Sequence, residues 1–180
     1  EWEHMWDTIL DRNPHAFLMM GDNVYIDQPE HELTQKYCYY RRQSRPEWKR
    51  FTSKTAIYSI WDDHDFGRND TDGRLDGKEN SRQAFLEYRP NPSAGENGQG
   101  IYTNFRIGDL EVFLLDARWF ARTEESEFAP GQPSLLGRRQ WTWLRTRLAQ
   151  STAPFKAITT GMIFNGSVRP LDRKSTRLNS

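Results

Sequence analysis

The hydrophobic residues of this chain gather in five short runs, each closed by a turn signal or by acidic residues, which is the pattern typical of strands. They are the apolar parts of HAFLMMGDN (15–23), TAIYSIWDDHD (55–65), both halves of IYTNFRIGDLEVFLLDAR (101–118), and FKAITTGMIFN (155–165). Gly108-Asp109 separates the third run from the fourth and predicts a hairpin with a type II′ turn. We expect the first, second and last strands to be buried.

Other stretches place apolar residues at the spacing of a helix face. These helical stretches are residues 1–12, 32–51 as two short helices separated by a proline, 79–89, and 137–151, where Trp141, Leu144 and Leu148 share one face. Because strands and helices alternate along the chain, the pattern predicts an α/β or mixed architecture. Functional groups in such sheets gather at the carboxyl ends of the strands.

The composition excludes some classes of protein but does not identify the function. The chain has 180 residues, enough for one domain, and its 25 basic residues balance its 25 acidic ones. This balance gives no electrostatic argument for a nucleic-acid partner. The single cysteine, Cys38, excludes an internal disulfide framework, and no apolar run approaches the ~18 residues of a membrane-spanning helix.

Acidic residues follow the first two predicted strands. Asp22 comes directly after FLMMG, and Asp62, Asp63 and Asp65 come after YSIW. Neighbouring strands lie ~4.8 Å apart, so these carboxylates would converge and repel one another unless a cation compensates them. Asp22 is the candidate bridge between two metal ions, and Tyr25 offers a phenolate, which favours a strong Lewis acid such as ferric iron. The alternative is a pair of solvated turns with a chance cluster of aspartates.

Two motifs resemble those of a known superfamily. MGDNVY (20–25) and WDDHDFGRND (61–70) are similar to the strand-end motifs of the calcineurin-like metallophosphoesterases, and in particular of their alkaline phosphatase D-like branch. The resemblance covers about residues 10–165 and includes the segments 37–51, 113–121 and 135–148. It implies an α/β fold, part of a sandwich of mixed β-sheets flanked by helices.

The resemblance also implies a set of metal ligands. By position in the motifs, Asp22 would bridge two metal ions, Tyr25 would bind a ferric ion, and Asp63 would bind the second ion, which is calcium in characterised members of the branch. The implied reaction is hydrolysis of phosphate monoesters or diesters by a metal-activated hydroxide, without a nucleophile from the protein.

Two further residues receive roles toward the substrate. The resemblance implies that His64 contacts the phosphoryl oxygen and protonates the leaving alkoxide. Arg118, just past the fourth strand, is a candidate ligand of the substrate phosphate, and pairing with Asp116 or another acid is the alternative for it.

The boundaries of the sequence affect the interpretation. The first metal-binding motif of the branch and its later Gly-Asp-x-His are not found, so we interpret residues 1–172 as part of a metallophosphoesterase domain. Residues 173–180 break abruptly from the preceding strand and resemble a translated sequencing adapter, so we interpret them as a non-native tail, with an ordinary polar tail as the alternative. On this interpretation the full-length protein is a phosphoric ester hydrolase that acts on a small phosphate ester, and the 180 residues alone are inactive. A non-catalytic module that binds a metal or a partner is the competing hypothesis.

Overall fold

The computed structural model describes residues 3–26 and 28–163. Within these residues the chain forms six helices and five strands. In chain order they are α1 Met5–Leu10, β1 Ala16–Met20, α2 Glu32–Gln43, α3 Pro46–Thr52, β2 Ala56–Ile60, α4 Asp63–Phe66, α5 Lys78–Tyr88, β3 Thr103–Ile107, β4 Leu110–Leu115, α6 Gly137–Gln150 and β5 Phe155–Thr160. The predicted helices and strands are therefore present, although β2 ends at Ile60 and the acidic residues after it begin a short helix.

The strands form two small sheets. β1 and β2 pair in parallel, with Met20 opposite Ile60 at their carboxyl ends. In the second sheet β3 and β4 are antiparallel, and β4 and β5 are parallel. Helices α2 and α3 lie in the connection from β1 to β2, and α6 lies in the connection from β4 to β5. The predicted class, α/β with mixed sheets flanked by helices, is confirmed.

The hairpin between β3 and β4 has the predicted turn. Gly108 has φ 57°, whereas Asp109 is not among the residues with positive φ. A type II′ turn needs positive φ at its first central residue alone, and glycine adopts that conformation without steric cost.

The main hydrophobic core lies between the sheets and the helices. Tyr58 of β2 stacks on Phe105 of β3 with ring centroids 3.7 Å apart, which joins the two sheets. Helix α6 adds Trp143 and Leu144, both buried. A smaller aromatic cluster, in which Trp6 stacks on Phe51 at 5.2 Å, holds α1 against α3. Aromatic side chains bury large areas each, so a chain with few aliphatic residues still forms a core.

The expectation of burial was wrong for the last strand, and it was met only in part for the first. Phe155 and Ile158 of β5 are 67 % and 50 % exposed, and Met20 of β1 is 48 % exposed. β5 is the outer strand of its sheet and β1 pairs only with β2 among the described strands, so each keeps an uncovered side. An apolar run indicates that a strand forms, but the packing of the neighbouring elements decides how much of it is covered.

One further expectation was confirmed and another falls outside the described residues. On α6, Leu144 is buried and Trp141 and Leu148 are partly buried against the same core, as one shared apolar face requires, and Trp143 is buried as well. Residues 164 and beyond, including the predicted tail at 173–180, lie outside the described part of the chain. Within the described part, no helix combines the length and the apolar character that crossing a membrane requires.

Candidate metal centre

The parallel pairing of β1 and β2 brings two acidic turns to one edge of the sheet. Met20 and Ile60 are opposite each other at the last rung of the ladder. Asp22 follows Met20 by two residues, and Asp63 follows Ile60 by three. Because parallel strands end on the same side, both carboxylates leave the sheet in the same direction.

Close backbone packing places these turns against each other. Gly21 has φ 100°, and a Cβ atom there would lie 2.6 Å from the Cβ atom of Asp62. A Cβ atom at Gly161, just after β5, would lie 2.9 Å from the same atom. The carboxyl ends of three strands, β1, β2 and β5, therefore meet around Asp62, and two of the approaches require glycine.

Asp22, Asp63 and His64 form a compact cluster of potential ligands. Each residue offers one ligand atom, and these atoms all lie within 4.8 Å of one another. Tyr25 borders the cluster: its hydroxyl group donates to Asp22 Oδ2 at 3.4 Å, and its ring centroid lies 4.2 Å from that of His64. The structure thus brings together four residues that the sequence singled out, and we call Asp22, Tyr25, Asp63 and His64 the ligand cluster.

Negative charge within the ligand cluster perturbs the tyrosine. The charge of Asp22 is the main cause that raises the pKa of Tyr25 above its usual value. A phenol with its ordinary pKa is already protonated at neutral pH, and this shift makes the phenolate less accessible still. A cation held by Asp22 would oppose this effect and favour the phenolate.

Backbone donors fix the direction of the Asp63 carboxylate. Its Oδ1 atom accepts from the backbone N–H of His64 at 3.0 Å, and its Oδ2 atom accepts from that of Asp70 at 2.6 Å. Asp63 is only 7 % exposed. Each carboxylate oxygen has more than one acceptor site, so the group is held in place and can still bind a cation.

Asp65 belongs to the same acidic run but has a structural role. Its Oδ1 atom accepts the backbone N–H groups of Asn23 and Val24 at 2.9 and 3.1 Å, and its Oδ2 atom accepts that of Asp62 at 3.1 Å. Burial raises the pKa of Asp65 to about 7, while these donors act in the opposite direction. Asp62 and Asp65 form the capping box of α4. The spacing of three residues between them is a capping signal that can be read in a sequence.

Arg118 lies beside the cluster and is paired with an acid. Its Nε and Nη2 atoms donate to Asp62 Oδ1 at 2.7 and 2.5 Å, and its Nη1 atom donates to the carbonyl oxygen of Thr71 at 3.1 Å. Its Nη2 atom is 3.9 Å from Asp63 Oδ2. The acid that pairs with the guanidinium group is Asp62, whereas Asp116 accepts the backbone N–H of Arg118 and not its side chain. Contact of Arg118 with substrate stays a prediction.

Residues 1–179 match the model of the PhoD-like phosphatases. The chain belongs to the PhoD-like phosphatase family. This confirms the family that the two strand-end motifs indicated. No curated protein matches the chain.

A solved structure of PhoD has a similar fold. It superposes with a TM-score of 0.62 at 19 % sequence identity, over 78 % of this chain and 35 % of the PhoD chain. At this identity the likeness concerns the fold alone, and the chain spans about a third of the length of the PhoD structure. Membership of the family and the ligand cluster together indicate a phosphoesterase family protein with a possible metal site.

Proposed function

We propose that the complete gene product hydrolyses phosphate esters, monoesters or diesters, with two metal ions held in part by Asp22, Tyr25 and Asp63. The single observation that carries this proposal is the convergence of Asp22, Asp63 and His64 within 4.8 Å at the carboxyl ends of two parallel strands. Membership of the PhoD-like phosphatase family supports a phosphate ester as the substrate.

The residues present fit hard metal ions. Two carboxylates and a phenol offer oxygen atoms, which are the donors that such cations prefer. The guanidinium group of Arg118 is bound to Asp62 and lies 3.9 Å from Asp63, so it offsets part of the charge of Asp63. None of the ion pairs among the described residues involves Asp22. Tyr25 favours Fe(III) as the ion shared with Asp22, and we propose Ca(II) as the ion held by Asp63.

The metal ions, when bound, would supply Lewis acidity toward a water molecule and the phosphoryl oxygens. The protein would supply orientation and a proton. Backbone donors hold the carboxylate of Asp63 in a fixed direction, and the tight turn at Gly21 places the backbone beside Asp22 against Asp62. His64, packed against the ring of Tyr25, would donate a proton from its imidazole to the leaving alkoxide.

The ligand cluster is smaller than two metal ions require. Calcium alone takes six to eight oxygen ligands, and the described cluster consists of four residues. We therefore keep the hypothesis that residues 1–172 are part of a larger domain. Further residues of that domain, together with water, would complete the coordination of the metal ions.

The decisive variant is Asp22→Asn in the complete gene product. We expect hydrolysis of 4-nitrophenyl phosphate and of its diester to fall to the level of a chelator-treated sample, because a neutral amide bridges two cations poorly. Asp109→Asn is the matched control, since Asp109 lies in the exposed hairpin turn and should keep full turnover. Turnover near that of the wild type in Asp22→Asn would refute the bridging role.

The same experiment separates hydrolysis from metal binding alone. A non-catalytic module would bind Fe(III) or Ca(II) in calorimetry but would hydrolyse neither ester at any metal concentration. A visible charge-transfer band with Fe(III) that disappears in Tyr25→Phe would support the proposed phenolate ligand.

A further inference from the structure

A cavity of about 350 Å³ lies beside the ligand cluster, between α2 and the turn that follows β1. We call it the arginine cavity. The residues of its lining that matter here are Glu3, Tyr25, Tyr37, Arg41, Arg42 and Arg45. Three of the six are arginines on the last turn of α2 and the segment that follows it, and one is an acid.

Glu3 is the one acidic residue in the described lining of the arginine cavity. Glu3 Oε1 accepts from Arg42 Nη1 at 2.6 Å, and Glu3 Oε2 accepts from Trp6 Nε1 at 2.7 Å, so both oxygen atoms are engaged. Among the described residues, Arg41 forms no ion pair. The whole sequence has zero formal net charge, so this local excess of positive charge is a feature of the place and not of the composition.

Tyr25 belongs to the ligand cluster and also lines the arginine cavity. Its ring packs on His64 with centroids 4.2 Å apart, and its hydroxyl group donates to Asp22. Tyr25 and Tyr37 are each 58 % exposed and line the same cavity. A substrate that reaches from the ligand cluster to the arginines would therefore have to pass along the exposed side chain of Tyr25.

We propose that the arginine cavity binds a second anionic phosphate or phosphonate group of the substrate, with Arg41 as its main ligand. The proposal rests on the proposed phosphoesterase function and adds a substrate class to it: esters that carry two phosphate-like groups joined by a short linker. Guanidinium groups are well suited to this role because they donate parallel hydrogen bonds to phosphate oxygens.

The test compares two esters in the complete gene product with Fe(III) and Ca(II) supplied. Propyl phosphate has one phosphate group, and 3-phosphonopropyl phosphate adds a phosphonate group that cannot be hydrolysed. We expect the wild type to prefer the second ester, and Arg41→Ala to lower the ratio of the two kcat/KM values roughly tenfold, the equivalent of one charge-assisted contact. Arg41→Lys should restore part of that ratio because it keeps the charge.

Arg145→Ala is the matched control, because Arg145 is exposed on α6 in a different part of the sequence. It should keep the wild-type ratio. Melting curves of both variants should match that of the wild type, which separates a lost contact from a lost fold. An unchanged ratio in Arg41→Ala, or an equal fall of the ratio in both variants, would overturn the proposal.

Failure of the proposed function would give a different result. If the wild type hydrolyses neither ester, the phosphoesterase proposal fails, and calorimetry with the same two compounds then tests the arginine cavity alone. Tighter binding of 3-phosphonopropyl phosphate that weakens in Arg41→Ala would support the cavity as an anion site, and equal binding to both proteins would contradict it.

Discussion

Each of the two sheets contains a pair of parallel strands, and in each pair at least one strand is followed by an aspartate. The two ends differ in what surrounds the carboxylates. At the end of β4, Asp116 is fully buried, and four N–H groups donate to it: those of Trp61 Nε1, Ile101, Arg118 and Trp119, at 2.7 to 3.0 Å. At the end of β1, Asp22 is exposed, and the contact described for its carboxylate is the 3.4 Å approach of Tyr25.

This comparison separates structural acids from available ones. A carboxylate whose lone pairs face several backbone donors joins segments of the fold, and Asp116 and Asp65 both do this. A carboxylate with few donors in a turn beside other acids repels its neighbours until a cation binds. By this measure Asp22 is the most available of these acids, and Asp63, with two backbone donors, lies between Asp22 and Asp65.

The largest expected effect on stability comes from replacing a structural aspartate. Asp116→Ala removes the acceptor of four buried donors, and we expect it to lower the free energy of unfolding by roughly 3–5 kcal/mol. Urea unfolding followed by circular dichroism would measure this, with Asp109→Ala in the exposed turn as the control, within about 0.5 kcal/mol of the wild type. A loss below about 1 kcal/mol for Asp116→Ala would contradict its structural role.

A smaller effect is expected where the two turns meet. Gly21→Ala places a Cβ atom 2.6 Å from that of Asp62, in a backbone conformation with φ 100°. We expect a loss of about 2 kcal/mol in unfolding free energy, together with weaker metal binding, because the acidic turns must move apart. Gly98→Ala is a suitable control, since Gly98 also has positive φ but no atom lies within 4 Å of its Cβ position. Equal losses in the two variants would show that strain alone, and not the close approach, matters.

The smallest effect on stability is expected at the ligand cluster itself. Asp63→Asn keeps the shape of the side chain and one acceptor oxygen but places an amide group against one of the two backbone donors. We therefore expect a loss of roughly 1 kcal/mol in unfolding free energy. The affinity for Ca(II) should nevertheless fall at least tenfold, because a charged ligand is lost. Calorimetric titration with Ca(II) measures this. A large loss of stability with unchanged affinity would place Asp63 with Asp116 among the structural acids.

The sequence patterns located most of the helices and strands, but they predicted few of the contacts around them. The sequence could predict that Asp22 and Asp63 lie close together. Each belongs to a local motif at the end of a strand, and the ends of parallel strands meet at one edge of a sheet. The partner of Arg118 could not be found this way, since Asp62 lies 56 positions away and is one of several acids nearby. The exposed faces of β5 had no local signal either, because an apolar run looks the same whether or not another element covers it.

The sequence by itself determined the family, the α/β class and the residues of the ligand cluster, since these depend on local motifs and on the period of the hydrophobic residues. Only the tertiary structure decided which aspartates were engaged by backbone donors, which acid paired with Arg118, and where the arginines of α2 formed a cavity beside Tyr25. The physical reason is that hydrogen bonding and charge compensation depend on atoms distant in the chain, whose positions follow from packing and not from spacing.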